Sequence, residues 1–383
     1  MTVDRVEHRD RRPIARVSLA IGRESGVDVD TLTTFARAWE QELGVAIEVG
    51  DKPIDLGAGG ALVVDSGLAS SVRPSIAGRT MIVDFDGSKA LLDAGSNGPG
   101  RIAGRGLQGY RWAIRHLVAQ GAWPVDTYRY GEEHDHRVDL RLPATGGPHP
   151  LVVLIHGGGW KHRWTRDLMA PIAVDLSKHG YATWNVEFRR VGGGGGWPAT
   201  FDDLRMAINA LTDIDEAELL DLDRVCFLGH SSGGQLALWA AADAETVVRP
   251  SYVVAIAGIT DLVEASRRQL IGGENIAAGL LGGTHEDVPE RYATVSPRAN
   301  LPLGVDLLLI QGLNDYIPDL VDLNRSYAIA ARAAGDEVEH AELPGVDHLS
   351  PIEPASAAWR LIRDRLATFL RGQLASSSSD GHT

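Results

Sequence analysis

After Pro124 the chain alternates short apolar runs with amphipathic stretches of helical period. Pro150-Leu-Val-Val-Leu-Ile155 is apolar throughout and too short for a helix, the pattern of a strand buried on both faces. The spacing then predicts a helix over Arg166 to Lys178, a strand over Ala182 to Phe188 and a helix over Thr200 to Leu211. A strand over Arg224 to Leu228, a helix over Gly233 to Ala242 and a strand over Tyr252 to Ala257 continue the series. Asp261 to Pro302 shows no regular period, after which strand Asp306 to Ile310, helix Leu320 to Ala334, strand Glu337 to Leu343 and helix Ala355 to Leu370 complete it. Tyr128 to Leu142 alternates in patches and predicts an antiparallel strand leading into the sheet. Strands alternating with helices require crossover connections, hence an α/β architecture with a mostly parallel sheet covered on both faces.

The first 125 residues form a separate block that predicts a small α/β domain. Pro13 to Ile21, Val45 to Val49, Ala61 to Asp65 and Thr80 to Phe85 predict strands, and Thr31 to Leu43 a helix capped by Asp30. A helix over Leu107 to Gln120 closes the block. Its Leu107, Tyr110, Ile114 and Leu117 form an apolar face that must pack on something. Gly121, Pro124 and Gly131 mark the join. The expected organisation is therefore a first domain over 1–125, a second over 126–372 and a small polar tail over 373–383 expected to be disordered.

Composition narrows the classes of function. Fifty-one acidic against 37 basic residues give a net charge of -14, which disfavours phosphate backbones and anionic lipid, so neither nucleic acid nor membrane is an expected partner. The single cysteine, Cys226, allows no internal disulfide and no cysteine-based zinc site. No apolar run of about 18 residues occurs and the amino terminus lacks an apolar core, so a soluble cytoplasmic protein is the expectation. His134 and His136 lie in a charged run expected at an exposed strand edge, and no metal or cofactor is expected. Gly104-Arg-Gly-Leu-Gln-Gly109 matches a dinucleotide fingerprint in letters, but Asn97 to Ile102 before it makes a poor buried strand.

The chemistry concentrates where strand Arg224 to Leu228 runs into Gly229-His-Ser-Ser-Gly-Gly234 and then a helix. This is G-x-S-x-G in the strand, turn and helix context that makes Ser231 a nucleophile at a turn too tight for side chains two residues away. Ser232 is a rival hydroxyl, out of phase with the glycines, whose backbone N–H is the more useful group. His156-Gly-Gly-Gly-Trp160 follows the apolar strand, and its glycines let backbone N–H groups approach an oxyanion: Gly158 and Gly159, with Gly157 as alternative, alongside Ser232. His156 is expected to brace this loop. A serine needs a base and an acid to orient it, and in this kind of sheet the chain order is Ser, then acid, then His. His348 lies in the turn between the last strand and last helix, whereas His285, His340 and His382 lie in irregular, strand and tail segments. Asp315 follows strand Asp306 to Ile310. Asp319 is the reserve choice, and Asp347 is too close to His348 to reach back to its ring. Trp160 and Tyr316 are candidate substrate contacts, and Trp164 and the five-glycine run Gly192 to Gly196 also fall at strand ends, the latter suggesting a gate.

Over residues 126–372 these motifs resemble the α/β-hydrolase superfamily, in particular the kynurenine-formamidase-like and carboxylesterase branch with an H-G-G-G loop. The resemblance rests on His156-Gly-Gly-Gly-Trp160, Phe188-Arg-Arg-Val191, Trp197-Pro-Ala-Thr-Phe-Asp-Asp-Leu204, the serine elbow and Val346-Asp-His-Leu349. It implies Ser231, Asp315 and His348 as nucleophile, acid and base, and hydrolysis of a small-molecule carboxylic ester through an acyl-enzyme. An amide, N-formyl or peptide substrate is the alternative within the branch, and a noncatalytic binding protein the alternative outside it. Arg105 to Leu117 is similar to the closing helix of a small noncatalytic module found ahead of some glycoside hydrolase domains. That implies a docking, substrate-shaping or homo-oligomer role for the first block.

Overall fold

A computed structural model describes residues 3–9, 13–22, 27–53, 60–71, 79–85, 100–144 and 146–377. Contacts divide the chain into two units, one of Met1–Glu7, Asp126–His162 and Asp175–Thr383, the other of His8–Val125 and Arg163–Val174. The expected first block thus loses its first residues: β1 (Asp4–Arg9), an unexpected strand, joins the sheet of the larger unit, a non-local pairing that no local pattern announces.

The smaller unit is built on β2 (Arg16–Ala20), β3 (Ala46–Gly50), β4 (Gly60–Asp65), β5 (Thr80–Asp84) and β6 (Gly100–Ala103). All are parallel, in the order β3-β2-β4-β5-β6. Helix α1 (Val29–Leu43) is capped by Asp28 rather than the expected Asp30. The reason is Thr31, whose N–H lies 2.7 Å from the Asp28 carboxylate, three residues after the cap as capping requires. Helix α2 (Gly106–Ala122) buries Tyr110, Ile114 and Leu117, and its Ala119 packs on Ala170 and Val174. The G-x-G-x-x-G motif does join a strand to a helix here, but the strand is the edge strand β6. Dinucleotides bind instead where strand order reverses. Arg105 within the motif is spent in a buried two-point ion pair with Asp167, both contacts at 2.8 Å, and lies 4.5 Å above the Trp164 ring. Gly109 serves packing, since a Cβ there would meet Val83 at 3.0 Å.

The larger unit continues with β7 (Val125–Arg129), β8 (Arg137–Arg141), β9 (His149–Ile155), β10 (Ala182–Val186), β11 (Leu220–His230), β12 (Tyr252–Ile256), β13 (Asp306–Gly312) and β14 (Val338–Leu343). Its order is β1-β7-β8-β10-β9-β11-β12-β13-β14, parallel from β10 to β14, with β7 and β8 antiparallel. The expected single strand over Tyr128 to Leu142 is therefore a hairpin. Its turn is held by local bonds such as His136 N–H to the Glu133 carbonyl, and Gly131, read as part of the join between domains, belongs to this turn, where a Cβ would fall 2.2 Å from His136 Nδ1. Helices α3 (Ala170–Lys178), α4 (Ala199–Asn209), α5 (Ser232–Ala242), α9 (Asp319–Ala334) and α10 (Ala357–Ser377) supply the crossovers and close the chain. Three short helices, α6 (Leu262–Arg268), α7 (Ile276–Leu281) and α8 (Pro289–Val295), occupy the stretch that lacked a period. Each is about two turns long, too short to print a 3.6-residue repeat. The last helix runs on to Ser377, into the expected disordered tail, whose remainder (378–383) lies outside the described residues. Among the described residues no helix is long and apolar enough to cross a membrane.

Candidate active site

Strand β11 is the apolar spine of the site: Val225 to Leu228 are fully buried between β9 and β12, which fixes where the chain must leave the sheet. At the exit Ser231 adopts φ 55° and ψ -120°, a conformation costly for any residue with a Cβ. Steric necessity on both sides enforces it. A Cβ on Gly229 would sit 2.0 Å from the Gly233 carbonyl, and one on Gly233 would sit 2.2 Å from the Ile155 carbonyl. The strained turn is clamped by Ser231 N–H donating to the Ile256 carbonyl at 2.7 Å and by its own carbonyl accepting from Gly234 N–H at 2.9 Å.

The glycine loop leaves the adjacent strand β9. Gly158 and Gly159 hold positive φ, 117° and 61°, and among the described residues their N–H groups and that of Ser232 donate to no protein acceptor. His156 braces the loop: its ring stacks on Phe188 at 4.5 Å, with Nδ1 2.8 Å from the Gly157 carbonyl and Nε2 3.1 Å from the Glu187 carboxylate. Glu187 in turn pairs with Arg190, and Arg190 with Asp135. His136 and His134 are taken up by Asp203 and Asp135.

Trp160 departs from expectation. It is 1% exposed, with its indole N–H donating to the Gln235 amide oxygen at 3.2 Å, so it anchors the loop to α5 and offers no surface to a ligand. Its backbone stands in the left-handed region at φ 56°, which the sequence could not give. Trp164 packs edge-on against Trp112, 6.3 Å away within the smaller unit. The five-glycine run is a hydrogen-bonded turn: Gly193 and Gly195 N–H both donate to the Arg190 carbonyl at 2.9 Å, and Gly196 N–H to Thr200 Oγ1. A Cβ on Gly195 would fall 2.2 Å from the Arg189 carbonyl, so close packing, not gating, explains that glycine.

His348 is gathered to the elbow. Its Nδ1 lies 2.7 Å from Asp315 Oδ2, and its carbonyl oxygen accepts from His230 Nε2 at 2.8 Å. The Asp315 carboxylate also accepts from Ile317 N–H at 2.8 Å and the Gln311 amide at 3.1 Å. Burial alone would raise its pKa, but the His348 imidazole, the Ile317 N–H and Gln311 outweigh burial and hold it below the ordinary carboxylate range. Asp319, the reserve, pairs with Arg268 at 3.1 Å. Asp347 is occupied by Leu349 N–H, Ser350 N–H and the Ser350 hydroxyl. His285 packs edge-on against Tyr292. Ser231 and His348 are each 3% exposed, whereas Tyr316, whose ring lies 4.9 Å from that of His348, is 66% exposed. Sequence reasoning missed His230 and Gln311. Both carried a signal: one directly precedes the nucleophile, and the other lies near the end of the strand that leads to the acid.

A model of the BD-FAE family matches residues 138–332, just over half of the chain. Among solved structures, esterase B from Lactobacillus Rhamnosis is similar at 20% identity and a TM-score of 0.58, over 67% of this chain and 88% of that one. A truncated carbohydrate esterase from gut microbiota follows at 20% identity and 0.55, over 63% and 94%. A bacterial heroin esterase matches at 25% identity and 0.53, over 65% and 84%. No match is found among curated proteins. The shared architecture is the α/β-hydrolase fold.

Proposed function

The chain belongs to the BD-FAE family, and from that premise we propose that it is a serine hydrolase that cleaves a carboxylic ester of a small molecule through an acyl-enzyme. The observation that carries this reading is the 2.7 Å pair of His348 Nδ1 with Asp315, on a base whose backbone is bonded to the residue preceding the strained Ser231. Ser231 Oγ attacks the ester carbonyl as His348 Nε2 takes its proton. The carbonyl oxygen, now negative, accepts from the N–H groups of Gly158, Gly159 and Ser232, each such donor contributing about 2.7–4 kcal/mol. His348 returns the proton to the departing alkoxide, and the alcohol leaves the acyl-enzyme. Water then repeats the sequence with the same base, releasing the acid and restoring Ser231. Asp315 stays ionised throughout and steadies the imidazolium. Tyr316 flanks the base and contacts the leaving group.

Esters are favoured over amides because the similar solved structures carry the names of esterases. Phe188, Arg189 and Arg190, which carried the formamidase resemblance, brace the loops and do not discriminate between the two. The test is Ser231→Ala: p-nitrophenyl acetate turnover and fluorophosphonate labelling should both vanish, and full labelling of the variant would overturn the assignment. Faster turnover of N-formylkynurenine than of short aryl esters by the wild type would shift the reading to a formamidase.

A further inference from the structure

His230 touches three parts of the site at once. Its Nε2 lies 2.8 Å from the His348 carbonyl oxygen, which only accepts, so Nε2 carries the proton. Its ring centroid is 4.7 Å from that of His348. On its other side, a Cβ on Gly157 would fall 2.8 Å from its Nδ1 and 2.6 Å from its carbonyl oxygen, so it also presses on the glycine loop. The ring is buried, and among the described residues Nδ1 has no hydrogen-bond partner.

A phenylalanine or leucine would fill that space without stranding Nδ1, whose lost solvation costs about 1–3 kcal/mol. The imidazole is therefore explained by the one bond it makes. The turn that carries His348 is interlocked with the acid's loop: Asn314 N–H donates to the Val346 carbonyl at 3.0 Å, Gly345 N–H to Asn314 Oδ1 at 3.1 Å, and a Cβ on Gly312 would fall 2.3 Å from the Val346 carbonyl. Those ties fix the base relative to Asp315 but not relative to the nucleophile. Among the described residues, the bond from His230 is the one hydrogen bond between residues 229–235 and 343–349.

We propose that His230 is a positioning residue that sets the height of the His348 ring over Ser231 by holding the base's backbone carbonyl. The proposal rests on the serine-hydrolase reading. It also explains why the second ring must stay neutral: His348 becomes a cation during turnover, and a second cation 4.7 Å away would oppose it. Besides His348, the titratable groups acting on His230 are Asp315 and His156.

Three full-length variants separate donation from space-filling. Glutamine places an N–H near the position of imidazole Nε2, asparagine falls short of it, and phenylalanine fills the volume without a donor. With p-nitrophenyl acetate, His230→Phe and His230→Asn should lose about 10- to 100-fold in kcat, the scale of a roughly 1 Å misplacement, with KM within about twofold. His230→Gln should recover to within about threefold of wild type, with the acid limb of its kcat–pH profile unmoved. Wild-type kcat in His230→Phe, or equal kcat in the Asn and Gln variants, overturns the proposal. If the phenylalanine variant does not fold, the Asn and Gln comparison alone decides. Loss of labelling in Ser231→Ala with wild-type kcat in His230→Phe removes this role and leaves the serine mechanism standing. Labelling that survives Ser231→Ala overturns the reading beneath it.

Discussion

Replacing Gly157 by alanine probes how closely the glycine loop and the elbow are fitted. The backbone of Gly157 is not in the left-handed region, so conformational strain is no objection to the substitution. The objection is steric. The new methyl group would stand 2.6 Å from the His230 carbonyl oxygen, 2.8 Å from its Nδ1 and 3.0 Å from Ser231 Cβ. Reaching an ordinary contact of 3.4 Å from 2.6 Å requires the loop and elbow to part by about 0.8 Å. Overpacking of this kind costs about 1–3 kcal/mol of stability. The catalytic cost is larger, because the same displacement carries the Gly158 and Gly159 donors off the oxyanion, and a misplacement near 1 Å costs about 100-fold. Gly157→Ala should therefore fold, melt a few degrees lower and lose about 100-fold in kcat/KM on p-nitrophenyl acetate, with slower fluorophosphonate labelling. Gly279→Ala is the control: nothing lies within 4 Å of its added Cβ inside α7, so it should retain activity and gain about 0.5–1 kcal/mol. A Gly157→Ala enzyme with kcat/KM within about threefold of wild type would refute the placement of this loop at the reacting oxygen.

Asp315→Asn leaves the shape of the acid in place but removes the acceptor that orients His348, and kcat should fall about 10⁴-fold in a stopped-flow ester assay with the fold intact by circular dichroism. Tyr316→Ala should raise KM several-fold for aryl esters while leaving that for methyl esters near wild type, since the exposed ring flanks the base that protonates the leaving group. Equal KM changes for both leaving groups would remove it from the substrate contacts.

What could be read in the sequence follows from how local its cause is. The serine elbow was legible because its geometry is enforced by glycines at fixed offsets, and the clashes at Gly229 and Gly233 are between atoms a few residues apart or on the adjacent strand. Asp315 and His348 were legible because a parallel sheet delivers its carboxyl-terminal loops to one edge. Trp160 was misread because a position at a strand end does not determine which way a side chain turns. The pairing of β1 with the larger sheet, the hairpin over Tyr128 to Leu142 and the cap at Asp28 rather than Asp30 depend on partners or register that periodicity does not encode. The role of His230 was hidden for a related reason. It lies inside the motif, but its partner is a backbone carbonyl 118 residues further along the chain.

The buried histidine also sets the acid response of the fold. Burial, then the nearby His348, pushes His230 down to about 3 from the usual imidazole value of 6.5. Below pH 6.5 the unfolded chain binds a proton at this position that the native state refuses, so stability falls as pH drops and does so until the native pKa is reached. The sign is the same for Asp315, but its window is lower: its carboxylate is held below the ordinary range, so that contribution is lost only below about pH 4. Between pH 6 and 4.5 histidines therefore add to the slope, with His149 and His340, also lowered by burial, joining His230, and Asp306, raised by burial, opposing them. One group contributes at most about 1.4 kcal/mol per pH unit. His230→Gln removes that titration while keeping the donor to the His348 carbonyl, so its urea-unfolding free energy should depend less steeply on pH across this window, by up to one proton. An unchanged slope in that variant would mean that His230 takes up its proton in the native state across this window, and that burial does not hold its pKa down.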